Sequence, residues 1–209
     1  MSRVTNLKDT VLAAATFAGL SLPVCAADTS GVNAAATAGG QGGVVADLSM
    51  AQALYSYGVA NKDALSVLAA ARIAGSIAPE DVAREVETKP TEGVDITEDC
   101  EGVDAPVEAE AMLAMAMDLA GGDPAITGMI EDAQAEGSRG RVGDASRTLS
   151  RLRAGHTDIF RVNFRGDSLA EIAILGDGDL DLLVTDEKGN TICLDRSYSD
   201  RLYCSFTPA

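Results

Sequence analysis

The chain has 209 residues, 32 acidic against 16 basic, 46% hydrophobic and 4% aromatic, with no Trp and one His. A formal charge of −16 argues against nucleic acid and an anionic membrane surface as partners, because both are bound through clustered Lys and Arg. One imidazole excludes a metal site that needs two histidines, and leaves at most one for acid–base chemistry.

The chain opens on a targeting pattern. Arg3 and Lys8 precede an apolar run over 11–22, VLAAATFAGLSL, which is too short to span a bilayer. Val24-Cys25-Ala26-Ala27 then offers the small residues of a signal peptidase site after Ala26 or Ala27. Residues 1–27 therefore read as a secretory signal peptide, and the expected location is periplasmic or secreted. Pro23 and Val24 stand where a lipoprotein signal wants small residues, which disfavours lipidation of Cys25. Cleavage after Ala27 leaves 14 basic and 31 acidic residues, so the mature chain is slightly more acidic.

Residues 28–46 are small, polar and Gly-rich and predict a flexible linker. Over 47–137 the chain is rich in Ala, Leu and Met with repeated helix signals. Asp47 is placed to cap a helix through about Val59, and Asn61 to cap a second, carrying Leu65, Leu68, Ala69, Arg72 and Ile73 at helical spacing. A charged connector with Pro90, Gly93 and Gly102 follows. Asp104 and Pro106 open a third helix that ends at Gly121-Gly122, and Asp123-Pro124 starts a fourth, since Pro costs no hydrogen bond at the first helical position. The reading is two helical hairpins whose Met112, Met115 and Met117 serve packing.

From 143 to 209 the period becomes alternating. Phe160, Val162 and Phe164; Ala170, Ile172 and Ile174; Leu180, Leu182 and Val184; Thr191 to Leu194; and Leu202 to Phe206 predict strands, with a turn at Lys188-Gly189-Asn190. The expected fold class is α+β: N-terminal helical hairpins, then a small antiparallel β-sandwich or barrel. After signal cleavage three cysteines remain. Cys193 and Cys204 are separated by ten residues that include turn formers and suit a disulfide between neighbouring strands, two free buried thiols being the alternative; Cys100 is the odd one.

The order Phe160-Arg161-Val162-Asn163-Phe164-Arg165-Gly166, Ala170 to Leu175, Gly176-Asp177-Gly178-Asp179-Leu180-Asp181-Leu182, Asp186 to Asn190 and Phe206-Thr207-Pro208 resembles a bacterial pre-peptidase C-terminal-type (PPC-like) domain. The resemblance covers the C-terminal region, 143–209, and implies a jelly-roll-like sandwich on an exported protein, acting as an accessory or binding module without an active site. Phe206 stands where the family commonly has Trp, and the family usually continues for two strands beyond the position of Pro208. The expectation is a sandwich closed by fewer strands, a shortened one, or an open edge at Phe206-Thr207-Pro208 through which copies self-associate.

Asp177, Asp179 and Asp181, with Asp186 or Asp195 adding oxygens across the sandwich, suggest a calcium site. A helix–loop–helix site is excluded, because positions 6 and 12 counted from Asp177 are Leu182 and Lys188. The alternative is a solvated acidic face, with Asp179 and Asp181 on one side of a strand and Leu180 and Leu182 on the other. Catalytic patterns are poor: His156 has no visible partner, no G-x-S-x-G occurs, and Cys100 sits among acids that disfavour a thiolate. Three functions compete. The first is an exported, non-catalytic protein binding an unknown protein or surface ligand, with no cofactor and no membrane span. The second is its calcium-dependent version, and the third is a hydrolase.

Overall fold

The computed structural model describes residues 34–36, 42–91, 106–136, 145–176 and 178–209. The expected signal peptide, Cys100, Asp104 and Asp177 lie outside them.

The fold is α+β, with four helices and several strand pairs. Helix α1, Val44–Asn61, begins three residues before Asp47, which instead places its charge in the first turn. Asn61 is the last residue of α1 rather than a cap, and its side-chain Nδ2 donates to the Tyr57 carbonyl at 2.8 Å. Lys62 turns the chain in the left-handed region (φ 54°). The cap of α2, Ala64–Ser76, is Asp63, whose carboxylate accepts from the Leu65 and Ser66 amides and from the Ser66 hydroxyl. Asp63 outcompetes Asn61 because it sits directly before the first helical residue, within reach of the free amides.

Helix α3, Ala109–Ala120, follows Glu108, and Gly121 closes it at φ 60°. Helix α4, Pro124–Glu136, starts as its sequence indicates, with Asp123 accepting from the Ala125 and Ile126 amides. The helices bury one core of Ala64, Val67, Leu68, Ala70, Ala71, Met112, Ala116, Ala120 and Ile130, with Met115 and Met117 packed on it. Small residues let α1 and α2 approach so closely that a Cβ at Gly58 would stand 2.6 Å from Val67 Cγ2 and 2.9 Å from its backbone nitrogen.

The strands do not follow the helices as a separate block. Strand β1, Ala34–Ala36, falls inside the expected linker. It pairs antiparallel with β9, Arg201–Pro208, matching Ala34 to Pro208 and Ala36 to Phe206. The other edge of β9 pairs with β6, Ala170–Leu175, giving the sheet order β1-β9-β6. Alternation along β9 turns Leu202, Cys204 and Phe206 into a second core, joined by Ala170 and Leu182. The hairpin of β7, Leu182–Thr185, and β8, Thr191–Asp195, packs on that face through Val184, Ile192 and Cys193.

The connector between α2 and α3 also contributes strands. Strand β2, Glu80–Asp81, pairs parallel with β4, Ser146–Arg147, and β3, Val86–Pro90, pairs antiparallel with β5, His156–Phe160. The α3–α4 hairpin is thus the crossover that the parallel β2–β4 pair requires. The alternating Val162 and Phe164 carry no strand, because the ladder ends where Val86 meets Phe160. The described strands form one three-stranded sheet and three two-stranded pairs, so the jelly-roll closure expected over 143–209 is not what these residues build.

The face of the three-stranded sheet opposite the second core meets α1. Glu171 on β6 reaches the helix start, where its carboxylate accepts from the Gly43 amide at 2.7 Å and the Val45 amide at 3.4 Å. Tyr203 on β9 donates its hydroxyl to the same carboxylate, and Arg201 donates to the Ser56 hydroxyl at 2.7 Å. A Cβ at Gly43 would fall 2.3 Å from Glu171 Oε2, so glycine leaves the room this cap occupies.

Two stability measurements check this packing. Gly58→Ala should lower unfolding free energy by about 2 kcal/mol in urea titrations, although Ala is ordinarily the better helix former by ~1 kcal/mol. Glu171→Ala should cost about 1 kcal/mol, as loss of a helix cap does.

Candidate interaction surface

The segments 80–91 and 145–165 run beside each other and form a ribbon. Arg147 holds its base. The guanidinium donates Nε to Asp81 Oδ1 at 2.8 Å, Nη2 to Asp81 Oδ2 at 3.2 Å and Nη1 to Glu108 Oε1 at 2.5 Å. This ties β2, β4 and the start of α3 together. The Arg147 hydrogen bond holds the Asp81 carboxyl below its ordinary range, and the two carboxylates push the Arg147 guanidinium up. Arg84 donates to the Thr148 and Ser146 hydroxyls, fixing the strand crossover.

An open groove of about 410 Å³ lies on this ribbon, lined by Arg84, Glu85, Val86, Glu87, Ile159 and Arg161. Glu87 takes Lys89 Nζ at 2.9 Å and Arg161 Nη2 at 3.5 Å; the Lys89 hydrogen bond leads in lowering its carboxyl below the ordinary range. Beyond the groove, large apolar side chains stand in solvent: Leu149 is 59% exposed, Leu152 42%, Val162 39% and Phe160 37%. Exposed Arg151, Arg153, Arg161 and Arg165 interleave with them. Charge-assisted and apolar contacts are therefore offered side by side, the chemistry of a binding surface.

The cysteine pair and the acidic cluster lie away from this ribbon, whereas His156 stands on it. Cys193 and Cys204 form a disulfide that joins β8 to β9, with Cα atoms 6.2 Å apart and Cys204 buried. Asp179 and Asp181 are exposed, and Leu182 faces the core. Asp186 lies in the β7–β8 turn, where its carboxylate accepts from the Lys188 and Asn190 amides and the Asn190 side chain. Among the described residues, no group of three or more His, Cys, Asp or Glu side chains is placed to hold a metal ion. Asp195 caps its own turn, accepting from the Ser197 amide and hydroxyl, the amide leading in lowering its carboxyl. His156 begins β5, with Nδ1 3.0 Å from the Ala154 carbonyl. Among the described residues, no helix is long and apolar enough to cross a membrane.

Neither the family models nor the curated proteins nor the solved structures contain a match to this chain.

The surface itself was within reach of the sequence. LSRLR and FRVNFR interleave arginine with large apolar residues, and over 145–165 five arginines face one acid, Asp158. Whole-chain charge conceals this local reversal.

Two outcomes follow for stability. Cys193→Ser with Cys204→Ser should lower the unfolding free energy by about 2–3 kcal/mol, measured in urea against the oxidised parent. Asp63, Asp81 and Asp195 all have lowered folded-state values, so their contribution is present above the unfolded value near 4 and is lost as pH falls through the depressed one. Denaturation midpoints should hold between about pH 7 and 5 and drop below about pH 4, with Asp81→Asn showing a smaller drop.

Proposed function

We propose that the chain is an exported, non-catalytic interaction protein that binds its partner through the ribbon of 80–91 and 145–165. The observation that carries this reading is the interleaving of exposed arginine with exposed Leu, Phe and Val along that ribbon. In water such apolar area is costly, roughly 25 cal/mol per Å², and a protein partner would cover it while pairing the guanidinium groups. The Cys193–Cys204 disulfide supports an oxidising compartment, as the signal-like N-terminus does. Arg147, Asp81 and Glu108 brace the ribbon from behind, which lowers the ordering cost of binding.

Photo-crosslinking in the native exporting cell tests this. A benzophenone amino acid at Phe160 or Val162 should give a discrete adduct that is weakened by Arg161→Glu. The same probe at Met50 or Tyr57, which are 51% and 58% exposed on α1, should give none. Equal labelling from all four positions, or none from the ribbon, would refute the reading.

A further inference from the structure

The described surface is polarised in charge. Residues 106–136, which hold α3 and α4, carry seven acids and no Lys or Arg. Glu108, Glu110, Asp118, Asp123, Glu131, Asp132 and Glu136 are all exposed; among the described residues Glu108 pairs with Arg147 and Glu136 with Arg72. Met129, 48% exposed, shares a face of α4 with Asp132 at helical spacing. The ribbon shows the opposite character, with Arg151, Arg153 and Arg165 making no ion pair among the described residues. Glu80, Glu85 and Asp158 also lie along it, and the Thr88 and Ser150 hydroxyls donate to Asp158.

We propose that the basic, apolar strip over 149–165 docks on the acidic α3–α4 hairpin of a second copy of this chain. The inference rests on the interaction reading above and names the partner. Each face supplies what the other lacks: guanidinium forks for exposed carboxylates, and Leu152 and Phe160 for the exposed Met129. Net charge does not forbid the contact, because at physiological salt the Debye length is about 8 Å and only facing groups count. The two faces differ, so the contact is heterologous, and assembly grows with concentration instead of stopping at a closed dimer.

Sedimentation velocity of the full mature chain at physiological salt, from micromolar to millimolar protein, tests the proposal. The average mass should rise steadily above monomer. Arg151→Glu with Arg153→Glu should weaken association about tenfold, and Glu131→Lys with Asp132→Lys should do the same. These side chains are exposed, and circular dichroism checks that each variant folds. One chain carrying all four reversals should associate like the parent, since the pairing is restored with its sign exchanged.

A parent that stays monomeric, reversals without effect, or a fourfold variant as weak as the doubles would overturn self-docking. Binding of a monomeric parent to phosphatidylglycerol vesicles, lost in Arg151→Glu with Arg153→Glu, would assign the strip to a membrane and also overturn it. Ribbon crosslinks to a different protein, with the parent monomeric, would leave the interaction reading standing and remove this one.

Discussion

The Glu171 carboxylate anchors the junction between the helices and the three-stranded sheet, beside the Arg201–Ser56 hydrogen bond. Glu171 projects from β6 to the amides at the start of α1, where the helix dipole favours negative charge and Gly43 leaves the space. The Asp47 side chain is one turn too late to serve those amides, so the cap comes from a residue 128 positions away in the chain. Tyr203 adds its hydroxyl to the same oxygen, and burial leads in pushing that phenol above its ordinary value. Helix α1 therefore lies on one face of the three-stranded sheet while the β7–β8 hairpin, bound by the disulfide, covers the other. Were the sheet a free-standing module, the cap would have no reason to cross between regions.

Arg147 is the second point of closure. One guanidinium satisfies Asp81 through two nitrogens and Glu108 through the third, which fixes the connector strands against the start of α3. Gln52 makes a similar link, donating to the Val107 carbonyl at 2.8 Å and accepting from the Val107 amide at 3.2 Å. Polar groups thus secure the crossings where apolar area is small, and the apolar cores fill the space between. Phe164 packs edge to face on Phe206 of the second core, with ring centroids 5.2 Å apart, while Leu149, Leu152 and Phe160 stay outside both cores and remain in water.

Much of the fold is legible in the residues. Asp123-Pro124 marks α4 and Gly121 ends α3, because caps and breakers act locally. The switch from helical to alternating period locates β6, β7, β8 and β9 for the same reason. Long-range pairing is not legible: VETKP over 86–90 has no apolar alternation, and its strand exists only because His156–Phe160 lies beside it. Three alanines at 34–36 likewise gain a strand from the free edge of β9. Cys193 and Cys204 meet in a bond, as their spacing across a turn indicates, whereas the Asp186 carboxylate is occupied by a turn. The ribbon lay hidden because net charge is a sum, and a sum does not register where the arginines gather.

The pairing of Ala34–Ala36 with Phe206–Pro208 also bears on how the molecule would yield to a pulling force. Traction applied at residue 34 and residue 208 meets both strands at the same end of an antiparallel pair, so the backbone bonds break in succession rather than resisting together. Beyond them, the Cys193–Cys204 link withholds the ten enclosed residues from extension, about 35 Å of contour. A tether drawn taut would peel the first strand early, yet leave the β8–β9 loop unextended.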